Sequence, residues 1–215
     1  MNFLGFVLLV GVKIISKTVR KILGGVEFVY VKSYLKYRNV NFDEYTFNCI
    51  GFPLFELTRT SKVNIGSFFK LVSDKRLSID GNSRTKIHVE DGARLSIGYH
   101  VGMTNTIIQC HKEIVIGDFV NIGAGTMIFD TDFHSLDWED RATGKDIVNK
   151  KCKSVVIGNY SFVGASCIIL KGVSIGEKSI VGAGSVVASS IPSGEIWAGN
   201  PARFIKKIQQ EKGVN

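Results

Sequence analysis

Between Ser154 and Ser190 aliphatic residues recur at every sixth position: Ile157, Val163, Ile169, Ile175, Val181 and Val187. A glycine follows four of them (Gly158, Gly164, Gly176, Gly182), and small or medium residues (Ser161, Cys167, Val173, Ser179, Ser185) stand four positions after the aliphatic ones. A period of six fits neither an amphipathic helix nor an alternating strand, so the stretch reads as a repeat. Each hexad supplies a short strand and a bend, and none can bury its aliphatic residue alone. Three hexads close a triangular coil with the aliphatic side chains inward, and successive coils pair through parallel main-chain hydrogen bonds. The glycines are expected to permit backbone conformations that a Cβ resists, and the small slot to fill the narrow interior near a corner.

A second register, Ile116, Ile122 and Ile128 with Gly117 and Gly123, repeats the pattern, and Ala198-Gly199-Asn200-Pro201-Ala202-Arg203 stands near the C-terminus. In these features residues 65–203 resemble the hexapeptide-repeat acyltransferases. The resemblance implies an all-β fold, a left-handed parallel β-helix of hexapeptide repeats, with an N-terminal helical segment and a short C-terminal helix. The expected divisions are a capping segment over 1–60, the β-helix over 61–190 with an excursion loop at 129–153, and a tail with a helix over 191–215.

At 215 residues and 45% hydrophobic content the chain suffices for one domain with a real core. Its net charge of +8 is uneven, because residues 1–40 hold seven basic residues against Glu27 alone. The remainder carries only +2, so a nucleic-acid groove along the body is not indicated. Twelve uncharged residues precede Lys13, short of the roughly 20 that span a bilayer, and no cleavage-site pattern of a secretory signal follows. On a helix Leu8, Val12, Ile15, Val19 and Ile22 form one stripe and Lys13, Lys17, Arg20 and Lys21 another. This suits a helix lying in the membrane surface, or one packed on the β-helix or a neighbouring subunit. Cys49, Cys110, Cys152 and Cys167 lack metal-finger spacing and read as free thiols of a reducing compartment. The expected location is cytoplasmic, with peripheral contact at the inner face of the membrane through residues 1–23. Aromatics from Phe28 to Phe47 are expected to cover the open first coil.

The longest interruption of the repeat runs from Phe129 to Lys153 and begins FDTDFHSLDWEDR. It holds His134 among Asp130, Asp132, Asp137, Glu139 and Asp140, beside Phe133 and Trp138. Long excursions from a tight solenoid carry function more often than not. Acyl transfer from a thioester to a hydroxyl needs a base for the hydroxyl proton and donors for the oxyanion. Histidine suits the first need, and a carboxylate at its other nitrogen fixes the tautomer. The spacing leaves open which carboxylate serves.

The resemblance implies specific roles. His134 matches the general base of the sugar-acetylating members, and Asn105, twelve residues before Gly117, matches an asparagine lining the same site. Acetyl-CoA is implied as co-substrate, along the later coils between subunits of a homotrimer. Gly164 and Ala165 are implied at the thioester carbonyl, Ala183 and Gly184 at the pantetheine, and Arg203 with Lys206 at the CoA phosphates. Where many members carry Thr-Lys this chain has Ala188-Ser189. Asp132 and Trp138 are expected to contact a sugar acceptor of a surface polysaccharide or its lipid-linked precursor. His88, His100 and His111, spaced by twelve and eleven, do not resemble a zinc pair, and no metal is expected. A carbonic-anhydrase-like zinc lyase of the γ class and a non-catalytic scaffold for glycan assembly are the alternatives.

Overall fold

The computed structural model describes residues 24–79 and 84–209. The chain winds as a parallel β-helix. Its first coil is β1 (Asn41–Phe42), β2 (Asn48–Gly51) and β3 (Leu54–Leu57), and its second is β4 (Lys62–Ile65), β5 (Lys70–Ser73) and β6 (Lys86–Val89). The third contains β7 (Arg94–Ile97), β8 (Gly102–Thr104) and β9 (Ile107–Cys110), and the fourth β10 (Glu113–Ile116), β11 (Asn121–Ile122) and β12 (Met127–Phe129). The fifth has β13 (Val155–Ile157), β14 (Phe162–Val163) and β15 (Ile168–Ile169), and the sixth β16 (Ser174–Ile175), β17 (Ile180–Val181) and β18 (Val186–Val187). Every third strand pairs in parallel, which makes the three faces of a prism. On the second face β19 (Glu195–Gly199) continues the ladder and turns back antiparallel into β20 (Ala202–Lys207).

The period of six becomes geometry. Ile157, Val163, Ile169, Ile175, Val181 and Val187 are each at most 1% exposed and form the axis of the core. The small slot is also buried, and its polar atoms satisfy the main chain of the adjoining coil. Ser161 Oγ donates to Gly176 O at 2.9 Å, Ser179 Oγ to Pro192 O at 2.8 Å, and Thr126 Oγ1 to Gly164 O at 2.9 Å. A hydroxyl there satisfies a buried carbonyl that an alanine leaves bare.

The glycines after the aliphatic residues are required for a different reason from the one the sequence suggests. Their φ values are not left-handed; instead a Cβ on Gly158 would lie 2.7 Å from Glu177 N, and one on Gly164 2.6 Å from Ala183 N. They let coils stack closely. The left-handed residue sits two positions later, at Tyr160 (φ 60°), Ser166 (56°), Gly172 (78°), Lys178 (58°) and Gly184 (72°). At one corner this slot holds Phe68, His100, Phe119 and Tyr160, whose rings stack at centroid spacings of 5.4, 5.4 and 5.0 Å.

The coil extends beyond the span marked by the hexads at both ends. Residues 41–57 already pair with the second coil, where the spacing suggests only a capping segment through residue 60. Aromatics conceal this start, since Phe47 and Phe69 fill the interior in place of aliphatic residues. A helix, α1 (24–37), buries Val31 and Leu35 against this end, and Tyr34 Oη accepts from Leu57 N–H. At the other end the expected helix is replaced by the β19–β20 hairpin through Lys207, because β17 offers an open ladder edge that Glu195–Gly199 extends. Residues 210–215 lie outside the described set, as do residues 1–23 with the predicted amphipathic stripe. No helix among the described residues is long and apolar enough to cross a membrane.

Candidate active site

After Phe129 the chain leaves the third face, returns at Val155, and is clamped at its neck by an antiparallel bridge between Thr131 and Cys152. Asp130 closes the base of this neck from within. It is fully buried, and its carboxylate accepts the backbone N–H groups of His111, Lys112 and Glu113, each at 2.7 Å. Three charge-assisted bonds account for this buried anion. The chain then turns sharply at Phe133, whose φ of 65° is rare for a bulky residue. The Phe133 ring packs on Phe129 and His111, which leaves the next residue, His134, at the rim.

The excursion carries two short helices, α2 (Trp138–Ala142) and α3 (Asp146–Asn149). Asp137 caps the first by accepting from Glu139 N–H. Arg141 donates to Ser135 O, Ser135 Oγ donates to Asp140, and Asn149 Nδ2 donates to the other Asp140 oxygen. This network folds α3 back so that Asp146 reaches His134. His134 Nδ1 lies 2.6 Å from Asp146 Oδ2, while Ser135 N–H donates to Asp146 Oδ1 at 2.7 Å. The bond to His134 is the main cause holding the Asp146 carboxyl below its ordinary value of 3.8. An ionised carboxylate only accepts, so in the neutral ring the proton resides on Nδ1 and Nε2 carries the lone pair. The His134 side chain is 64% exposed, so this nitrogen is accessible. An imidazole in this state can take a proton from a hydroxyl.

Asp146 is not among the carboxylates that the sequence puts forward, all of which lie in the first half of the excursion. It is twelve residues from His134, and only the α2–α3 turn joins them. The other predicted residues are distributed as follows. Asn105 is fully buried at φ 44°, and its amide is engaged with the main chain of Asp74, accepting from N at 3.0 Å and donating to O at 2.9 Å. It has no hydrogen bond to His134 or Asp146 among the described residues. Asp132 pairs with Lys171 at 3.1 Å through Oδ1, and its buried Oδ2 has no hydrogen-bond partner among the described residues. Trp138 is 68% exposed at the start of α2, and Leu136, Ile147 and Val148 of the same excursion are exposed as well.

On the later coils Gly164 N–H is occupied by Val181 O at 2.8 Å, whereas Ala165 N–H has no backbone acceptor among the described residues. Ala165 O accepts from Gly184 N–H, so residues 165, 183 and 184 share one corner. A Cβ on Gly184 would meet nothing within 4 Å, which leaves that corner open. Arg203 and Lys206 are exposed on β20. A concavity of about 540 Å³, lined by residues including Glu27, Cys49, Phe52, Arg76 and Arg84, holds none of these groups.

Cys110 and His111, adjacent in sequence, have different surroundings. Cys110 faces inward, and burial, then the charge of Asp130, pushes its thiol far above its ordinary value. It is no nucleophile beside His111. His111 lies against His88 on the neighbouring coil, with ring centroids 5.6 Å apart. The wide spacing hid this because the coil register, and not the sequence, sets their distance.

A parallel β-helix built of hexads defines the class as a hexapeptide-repeat protein, and its relatives define the family within that class. The family model "Bacterial transferase hexapeptide (six repeats)" matches residues 154–189. Nodulation protein L of Rhizobium meliloti is 40% identical over 121 residues, 56% of this chain and 63% of that protein. A protein of Dictyostelium discoideum named as an acetyltransferase is 36% identical over 135 residues, covering 60% of this chain and 68% of that one. A hexapeptide-repeat acetyltransferase of Vibrio cholerae solved with acetyl coenzyme A superposes with a TM-score of 0.50 at 27% identity, over 77% of this chain and 74% of that one. The chain spans about three fifths of the length of the nodulation proteins that it matches. This chain belongs to the hexapeptide-repeat transferase family, and its coil is the left-handed parallel β-helix of that family.

Proposed function

We propose that the protein is an O-acetyltransferase that moves acetyl from acetyl-CoA to a sugar hydroxyl of a surface polysaccharide or its lipid-linked precursor. The observation that carries this reading is the His134–Asp146 pair, which leaves an unprotonated Nε2 exposed on the excursion. His134 Nε2 takes the hydroxyl proton as the sugar oxygen attacks the acetyl carbonyl. Ala165 N–H, free of a backbone partner among the described residues, donates to the oxyanion. His134 then returns the proton to the departing CoA sulfur.

The neighbour solved with acetyl coenzyme A supports this donor, held by Ala165, Ala183 and Gly184, with Arg203 and Lys206 at its phosphates. Trp138 offers an exposed aromatic face for a sugar ring, and Asp132, held by Lys171 at the neck of the same excursion, contributes its charge to the acceptor side. Asn105 acts by holding the coil beneath. In one chain His134 is uncovered, and a homotrimer supplies the missing wall. Residues 1–23 would hold the enzyme at the inner membrane face, next to a lipid-linked acceptor.

The test is acetyl-CoA consumption by the full chain against a panel of free, nucleotide-linked and lipid-linked sugars. His134→Ala is expected to bind acetyl-CoA normally and to lose turnover by about 10²–10⁴-fold, the usual worth of a general base. Unchanged turnover in that variant refutes His134 as the general base, and no stabilisation of the wild-type chain by CoA at millimolar concentration refutes the acetyl-CoA reading and favours the scaffold.

A further inference from the structure

On the third face, parallel pairing of β6 with β9 sets Val89 beside Cys110, both pointing inward. Alternation therefore points His88, Glu90 and His111 outward, and Glu90 N–H donates to Cys110 O at the same level. Strands lie about 4.8 Å apart, so these three outward side chains meet. Glu90 Oε2 lies 3.4 Å from His88 Nε2 and 3.3 Å from His111 Nδ1, and the three donor atoms all lie within 4.8 Å of one another.

We propose that His88, Glu90 and His111 form a binding site for one divalent transition-metal ion of the zinc class per chain. The site is independent of the acetyl-transfer reading. Donors at about 2.1 Å from a tetrahedral ion are about 3.4 Å apart, the spacing Glu90 keeps to both histidines. It is longer than the 2.7–3.2 Å typical of an optimised hydrogen bond. The proton arrangement points the same way. Glu56, paired with His88 in register, places Oε2 3.3 Å from His88 Nδ1. A carboxylate there accepts from Nδ1–H, which keeps the proton on Nδ1 and leaves the Nε2 lone pair for the Glu90 side, the usual support of a metal-bound histidine. Two acceptors then face each other, and a cation between them resolves the conflict.

The chain carries its own competitor. Lys150, the residue after α3, places Nζ 2.8 Å from His111 Nδ1, so the ammonium occupies the lone pair that a metal needs. Two imidazoles and one carboxylate suit zinc, cobalt, nickel or copper better than calcium or magnesium. The His88 and His111 side chains are 21% and 11% exposed, shielded yet reachable. The fourth position is left to water.

The experiment is equilibrium dialysis of the untagged full chain against Co²⁺, read by metal analysis and visible absorption, with Zn²⁺ as displacer. The expected result is one Co²⁺ per chain with the intense bands of tetrahedral coordination, displaced by Zn²⁺. Affinity is expected to fall about 10–100-fold in Glu56→Gln and further in Glu90→Gln and His111→Ala. Lys150→Met is expected to bind more tightly, which an incidental cluster of surface histidines does not predict. Glu90→Gln alters only a half-exposed side chain at nearly constant volume, so it remains informative if a histidine variant fails to fold. Absence of uptake at 100 µM metal (about that scale suffices for a three-ligand site), uptake unchanged in Glu90→Gln, or unaltered or weaker binding in Lys150→Met overturns the proposal.

Discussion

Asp146→Asn separates orientation from charge at His134, because the neighbouring backbone decides how the new amide points. Ser135 N–H donates to Asp146 Oδ1 at 2.7 Å, and a fixed N–H donor demands an oxygen there. The asparagine Oδ1 therefore faces Ser135 and its Nδ2 faces His134 Nδ1. The amide then donates where the carboxylate accepted, the imidazole proton moves to Nε2, and the atom presented to the acceptor can no longer take a proton. The loss expected is the whole general-base factor, about 10²–10⁴-fold in kcat. Asp146→Ala removes the partner without imposing a tautomer. The ring is 64% exposed, so water reaches Nδ1 and the useful tautomer stays populated, with a loss of roughly tenfold, well short of the full factor. The assay is kcat for acetyl transfer in both variants, with circular dichroism to check the fold. A structural role alone predicts alanine to be the worse substitution. Asparagine equal to alanine, or better, refutes the tautomer argument.

Three further expectations concern pH, packing and the cofactor end. Hydrogen bonds from Ser135, then Asn149, hold the Asp140 carboxyl below its ordinary value of 3.8, and that from His134 does the same for Asp146. Carboxyls lowered in the folded state stabilise the loop above about 3.8 and lose that contribution as pH falls through the folded values; Trp138 fluorescence in a Trp197→Phe background is expected to stay flat from pH 8 to about 4 and to change only below. Gly158→Ala forces a Cβ to 2.7 Å from Glu177 N and is expected to cost about 1–3 kcal/mol, whereas Gly184→Ala, with open space but φ 72°, costs about 1 kcal/mol; thermal unfolding orders the two. Arg203→Ala, on exposed β20, is expected to raise the KM for acetyl-CoA with kcat for the sugar unchanged, and an unaltered KM would remove Arg203 from the cofactor site.

The hexads make the interior of the prism legible because each inward residue in that stretch is aliphatic and each coil there has the same length. Where either condition fails the reading fails with it: Phe47 and Phe69 fill the first coils with rings, and the β19–β20 hairpin obeys a pairing edge that no hexad marks. The glycines show the same limit more finely. Their positions are evident in the repeat, but the reason is not, since a close approach to the next coil and a left-handed φ both select glycine, and only the folded backbone separates Gly158 from Gly172.

The site divides along the same line. His134 stands out because an interruption of a regular repeat is visible in one dimension. Its partner does not, because the distance from His134 to Asp146 depends on a network through Ser135, Asp140, Arg141 and Asn149, none of which has a periodic signature. In a solenoid the chemistry lies across coils, where neighbours are set by coil length. His88 and His111, twenty-three residues apart yet ring against ring, follow that rule as closely as the core does. An outward residue is best read against those one coil earlier and later, and that reading joins His111 to Glu90 and leaves Asp146 to be found from the loop alone.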